Sequence, residues 1–112
     1  MAAPTYTDFH ADDVELSQFA RALGHPARVA ILKVLAERGE CICGEIVDIV
    51  PLAQSTVSQH LRELKKSGLI QGRIFGPKSC YCINWEVLER FQAAFGGFSD
   101  LLQSSEKATK SC

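Results

Sequence analysis

The chain has 112 residues, a formal net charge of −1, 46% hydrophobic residues and five cysteines. That length suits a single domain with a modest core, one that gains from a partner chain. No apolar run approaches the roughly 18 residues of a membrane span. The opening Met1–Asp8 stretch lacks a basic-then-apolar export signal, so a soluble cytoplasmic protein is expected.

The slight negative charge argues weakly against a nucleic-acid binder, but its distribution matters more than its sum. Asp8, Asp12, Asp13 and Glu15 stand in the first twenty residues with no lysine or arginine before Arg21. Between positions 61 and 78, Arg62, Lys65, Lys66, Arg73 and Lys78 face Glu63 alone.

In chain order, residues 1–11 read as a flexible arm. A first helix over 12–23 carries Val14, Leu16, Phe19, Ala20 and Leu23 and ends at Gly24. His25 reads as the cap of a second helix, with Pro26 at its first position, where the missing amide costs little. Val29, Ile31, Leu32, Val34 and Leu35 make this helix apolar on most sides and hence the central core element. Arg38-Gly39 closes it, and a short extended piece around Cys41-Ile42-Cys43 follows. Gly44–Val50 reads as a short helix cut by Pro51.

The next helix organises the rest. Val57, Leu61 and Leu64 recur at helical spacing and form one apolar stripe. Ser55, Gln59, Arg62 and Lys66 fall opposite, with Ser58 nearby. Hydroxyls and an amide near the helix start suit base edges, and the later cations suit phosphates. Ala53 stands where a capping hydroxyl is usual, which leaves the first amides for another acceptor such as a phosphate. Ser67-Gly68 is a left-handed exit. Serine, glutamine and lysine also compose ordinary solvated faces. The preceding short helix and three-residue turn favour a helix-turn-helix. The candidate DNA-binding residues are Gln54, Ser55, Thr56, Ser58, Gln59, Arg62 and Lys66.

Leu69–Phe75 reads as a strand, Gly76–Ser79 as a turn and Cys80–Asn84 as the returning strand. A hairpin in this position is a wing, and Arg73 and Lys78 on it are placed for backbone phosphates. A last helix, Trp85 to Gln103, carries Leu88, Phe91, Phe95, Phe98 and Leu102 at alternating spacings of 3 and 4. Such a seam either packs on its own domain or pairs with a second copy. The second is preferred for so small a domain, with Leu16 and Phe19 added to the interface. Residues 104–112 read as a disordered polar tail. The expected fold is mainly α with a β-hairpin wing, a winged helix-turn-helix occupying residues 12–103.

Five cysteines in a chain without an export signal point to metal binding or thiol chemistry rather than structural disulfides. Residues i and i+2 diverge by about 200° on a helix but share a face of an extended strand, roughly 6.5–7 Å apart. Cys41 and Cys43 can therefore converge on one ion, and Cys80 and Cys82 likewise point to one face of their strand. Soft thiolates select As(III), Cd(II), Pb(II) or Zn(II) over Mg or Ca. Cys80 and Cys82 could equally be small packing residues. No Ser-His-Asp, paired-carboxylate or phosphate-loop pattern supports an enzyme.

The element order, with Ala22–Arg28, Glu40–Ile46 and Ser55–Leu64 (Ser-Thr-Val-Ser-Gln-His-Leu-Arg-Glu-Leu), resembles the ArsR/SmtB family of metal-responsive repressors. The Cys41-x-Cys43 pair is like that of its thiol-ligand branch. The resemblance implies a homodimeric repressor of double-stranded operator DNA that lets go when an inducer binds, here most simply As(III) in arsenic resistance. Arsenic-sensing members often carry a further cysteine one helical turn on, where this chain has Ile46 and Val47. The third sulfur is therefore sought in Cys82 or Cys80, since in winged-helix domains the extended piece pairs with the second wing strand. The family's zinc site in the last helix needs histidines that residues 85–103 lack. A thiol redox or persulfide sensor using the same cysteines is the alternative, as is a zinc-stapled interaction module without operator binding.

Overall fold

The computed structural model describes residues 8–44 and 50–109. Among the described residues, four helices and three strands follow one another: α1 (Ala11–Ala22), α2 (Pro26–Arg38), β1 (Ile42–Cys43), α3 (Gln54–Ser67), β2 (Ile70–Phe75), β3 (Lys78–Ile83) and α4 (Trp85–Thr109). The expected mainly helical fold with a β-hairpin is what forms. Of the short helix expected over Gly44–Val50, residues 45–49 lie outside the described residues.

Each boundary has a local cause. Pro26 opens α2 and the His25 ring accepts a hydrogen bond from the Ala27 amide at 3.0 Å, as a cap should. Gly39 closes α2 at φ 67°, the left-handed region that glycine enters without a Cβ clash. At the end of α3, the Ser67 hydroxyl donates to the Leu64 carbonyl at 2.6 Å and accepts from the Leu69 amide at 3.2 Å. The Asn84 side chain accepts from the Val87 amide at 3.3 Å and so starts α4.

Ile31 and Leu35 of α2 are 1% exposed and lie at the centre of the core. Around them gather Val57, Leu61 and Leu64 of α3 with Leu69 and with Ile70, Ile83 and Ile42 of the sheet. Phe19 meets Phe91 edge to face at 5.6 Å, which docks α1 on α4. Arg90 pairs with Glu15 across the same contact. Phe19 is thus inside its own protomer, 4% exposed, and leaves the set expected at a dimer interface. Leu16, Leu88, Phe91 and Phe95 are half-buried, whereas Phe98, Leu101 and Leu102 are exposed.

Helix α4 runs to Thr109 rather than giving way to a disordered tail after Gln103. Nothing between Phe98 and Thr109 is glycine or proline, so polar residues simply extend a solvated helix.

The strands form one antiparallel sheet in the order β1-β3-β2. Ile42 pairs with Tyr81 and Cys43 with Cys80. On the other side of β3, Gln71 pairs with Cys82, Gly72 with Tyr81, Arg73 with Cys80 and Phe75 with Lys78. Cross-strand partners share a face and alternate residues return to it. Ile42, Ile70 and Ile83 therefore face the core, and the cysteines, Gln71, Arg73 and Lys78 occupy the opposite face.

Candidate nucleic-acid interface and sulfur cluster

Helix α3 separates its two faces as its periodicity requires. Val57, Leu61 and Leu64 are buried, while Gln54, Ser55, Ser58, Gln59, Arg62 and Lys66 are exposed and Thr56 is half-buried. Ala53 precedes the helix without a capping side chain. Lys66 pairs with Glu63 at 3.6 Å. Arg73 and Lys78 are exposed on the hairpin. Its tip carries Ile74, 80% exposed.

Lys65, a cation given no role from the sequence, bridges helix and wing. Its ammonium stands 3.4 Å from where a Cβ would project from Gly72, so the bare strand position leaves room for it.

A polar hub around the buried His60 ties α3 to the first two helices. His60 is 8% exposed, and its Nδ1 accepts from the Arg28 Nε at 3.3 Å. The same guanidinium donates to the Arg21 carbonyl at 2.9 Å and the Ala22 carbonyl at 3.5 Å. The His25 ring lies 4.3 Å from that of His60. Burial first, then the charges of His25 and Arg28, holds the His60 pKa below 6.5. His25 as cap agrees with expectation. The place of Arg28 between the two histidines was not legible, because it depends on a contact 32 residues away.

At the base of the wing the structure joins four cysteines in two cross-strand disulfides, Cys41–Cys82 and Cys43–Cys80. The Cα separations are 4.3 and 4.1 Å, near those of the closer, non-hydrogen-bonded pairs of an antiparallel ladder. Cys80 is fully buried and Cys82 7% exposed, while Cys41 and Cys43 are half-buried. The convergence expected of Cys41 and Cys43 with Cys82 or Cys80 is present, but it involves both hairpin cysteines and is closed by sulfur–sulfur bonds. In this form no group of three or more His, Cys, Asp or Glu among the described residues stands ready to hold a metal ion. The expectation that structural disulfides were improbable is overturned in this state. Strand alternation plus the antiparallel register dictates the pairing, but that register was not available from the sequence.

Reduced, the same four sulfurs suit a thiophilic ion. All lie on one face of two strands, so they reach an ion from one side. A three-coordinate pyramidal centre such as As(III), with a lone pair on its open side, accepts that arrangement. A tetrahedral ion such as Zn(II) needs ligands on all sides.

A polar, partly cationic helix set against a hairpin, with both packed on a helical core, defines a DNA-binding transcriptional regulator of the winged helix-turn-helix class. Residues 25–71 match the family described as bacterial regulatory protein, arsR family. An HTH-type transcriptional regulator of Methanocaldococcus jannaschii is 41% identical over 68 residues, 60% of this chain and 75% of that protein. The arsenical resistance operon repressor of Staphylococcus xylosus is 32% identical over 75 residues, 67% of this chain and 71% of that one. A solved ArsR-family transcriptional regulator superimposes with a TM-score of 0.67 at 21% identity, covering 91% of this chain and 98% of its own. The chain belongs to the ArsR/SmtB family, a family of transcriptional regulators and not of enzymes. No helix among the described residues is long and apolar enough to cross a membrane.

Proposed function

We propose that two copies of the chain bind a double-stranded operator through α3 and the wing, and release it when As(III) is held by thiolates of the cluster. Gln54, Ser55, Thr56, Ser58 and Gln59 face base edges, and Arg62, Lys66, Arg73 and Lys78 face phosphates. The copies meet along α4, through Phe98 and Leu102 with Leu101 beside them, supported by the half-buried Leu16, Leu88, Phe91 and Phe95. The observation that carries the reading is the presentation of four sulfurs on one sheet face at the root of the wing. Three of Cys41, Cys43, Cys80 and Cys82 supply the ligands, and Cd(II), Pb(II) and Zn(II) compete less well. Filling the cluster ties β1 to the wing and sets the dimer at a spacing that no longer matches half-sites about one helical turn apart.

The test is operator binding by the Cys41→Ser, Cys43→Ser double variant. Retained binding with loss of arsenite-driven release is expected. Failure of a folded variant to bind operator at all would make the cysteines structural and end the inducer-site reading.

The observed pairing supports a second reading, thiol oxidation as the signal. A small-molecule disulfide would accept two electrons and leave as two thiols, while one cross-strand pair of protein thiols becomes a disulfide. Release by oxidised glutathione in the absence of arsenite would favour it.

A further inference from the structure

We propose that Arg73 is the residue through which the state of the sulfur cluster reaches DNA, so that the wing carries the inducer's effect. This rests on the reading of the cysteines as the inducer site. Arg73 is the cross-strand partner of Cys80 in β2, and Cys43 is its partner in β1. The three side chains form one row across the sheet. Lys78 precedes Cys80 by two residues on the same strand and returns to the same face. Both cations of the wing thus share a sheet face with the fully buried Cys80 while remaining exposed themselves.

Side chains paired in this way have Cβ atoms about 4.5–5.5 Å apart, so Arg73 and Cys80 leave the sheet side by side. The recognition helix is placed differently. It packs through Val57, Leu61 and Leu64 into the core that Ile42, Ile70 and Ile83 enter from the other face of the sheet. The sulfurs therefore adjoin the phosphate-contacting wing and are separated from α3 by the isoleucine layer. A bonded Cys43–Cys80 pair, a reduced pair and a thiolate-held ion place different bulk and charge beside Arg73. Its guanidinium turns to phosphate in the empty reduced state and is displaced in the filled one. The adjacent row, Cys41, Cys82 and Gln71, ends on a neutral amide and transmits no such contact.

The experiment measures operator affinity by fluorescence anisotropy on reduced protein, with and without sodium arsenite. The proteins compared are wild type, Arg73→Gln, Arg73→Lys and Lys66→Gln. Wild type should weaken with arsenite by a factor in the usual range for linked sites, about 5- to 150-fold. Lys66→Gln should bind less tightly in both states and keep that ratio. Arg73→Gln should weaken the arsenite-free state and reduce the ratio to below about twofold. Arg73→Lys should recover most of the ratio. Thiol counting should show arsenite still consuming the same number of thiols in Arg73→Gln. An unchanged ratio in Arg73→Gln overturns the role of Arg73 and leaves the inducer site standing. A wild-type protein indifferent to arsenite removes the inducer site and the inference with it.

Discussion

Helix α3 and the wing both turn toward solvent the side chains proposed to meet DNA, yet they are held by opposite means. Helix α3 is fixed by apolar burial, with Leu64 fully buried, Val57 1% exposed and a glycine exit at Gly68. The wing has an exposed tip and is tied at its root by cysteine pairs. Burial of a packed stripe has one state, whereas a set of thiols has several. In the proposed function the element assigned to bases is therefore constant, and the element assigned to the phosphate backbone is adjustable.

That contrast is broken most forcefully by reduction. The disulfides span 41 and 37 residues of chain. Closing the first loop should stabilise the fold by about 4 kcal/mol. The second closes almost no additional loop once the first is made and should add little. Thermal unfolding with and without dithiothreitol should show a large loss in wild type. The Cys43→Ser, Cys80→Ser variant, still holding Cys41–Cys82, should lose nearly as much when reduced.

On the other side of the comparison, Leu64→Ala should cost about 2–5 kcal/mol in denaturant unfolding, in oxidised and reduced protein alike. A cost that depended on the cysteines would show helix and wing to be one unit. Gln59→Ala and Arg62→Ala should each weaken operator binding by about 1–3 kcal/mol without altering its response to arsenite.

The smallest effect concerns the hub behind α3. Because the His60 pKa is lowered in the folded chain, its contribution to stability is present above the ordinary value of 6.5 and is lost as the pH falls through the folded pKa. Protonation also removes the acceptor for Arg28. The unfolding midpoint should therefore drop on acidification, and His60→Gln should flatten that dependence.

Helix α3, the wing and the capping by His25 were legible because each depends on local spacing or a near neighbour. Cys41 and Cys43 were legible as a convergent pair because two-residue alternation fixes their common face. Their pairing with Cys82 and Cys80 was only half legible, since register across strands some forty residues apart is set by tertiary packing. Phe19 misled for a related reason. A large apolar residue on a terminal-type helix looks like interface until Phe91 is seen to cover it. The extension of α4 to Thr109 escaped notice because polar helices carry no hydrophobic period.

The most direct measurement follows labelled operator and arsenic together. Reduced protein on operator is titrated with arsenite while sulfur coordination is counted by X-ray absorption. Loss of bound DNA in step with the appearance of three arsenic–sulfur bonds per protomer is the predicted result. Arsenic fully coordinated by three sulfurs on a protein that still holds its operator would contradict it.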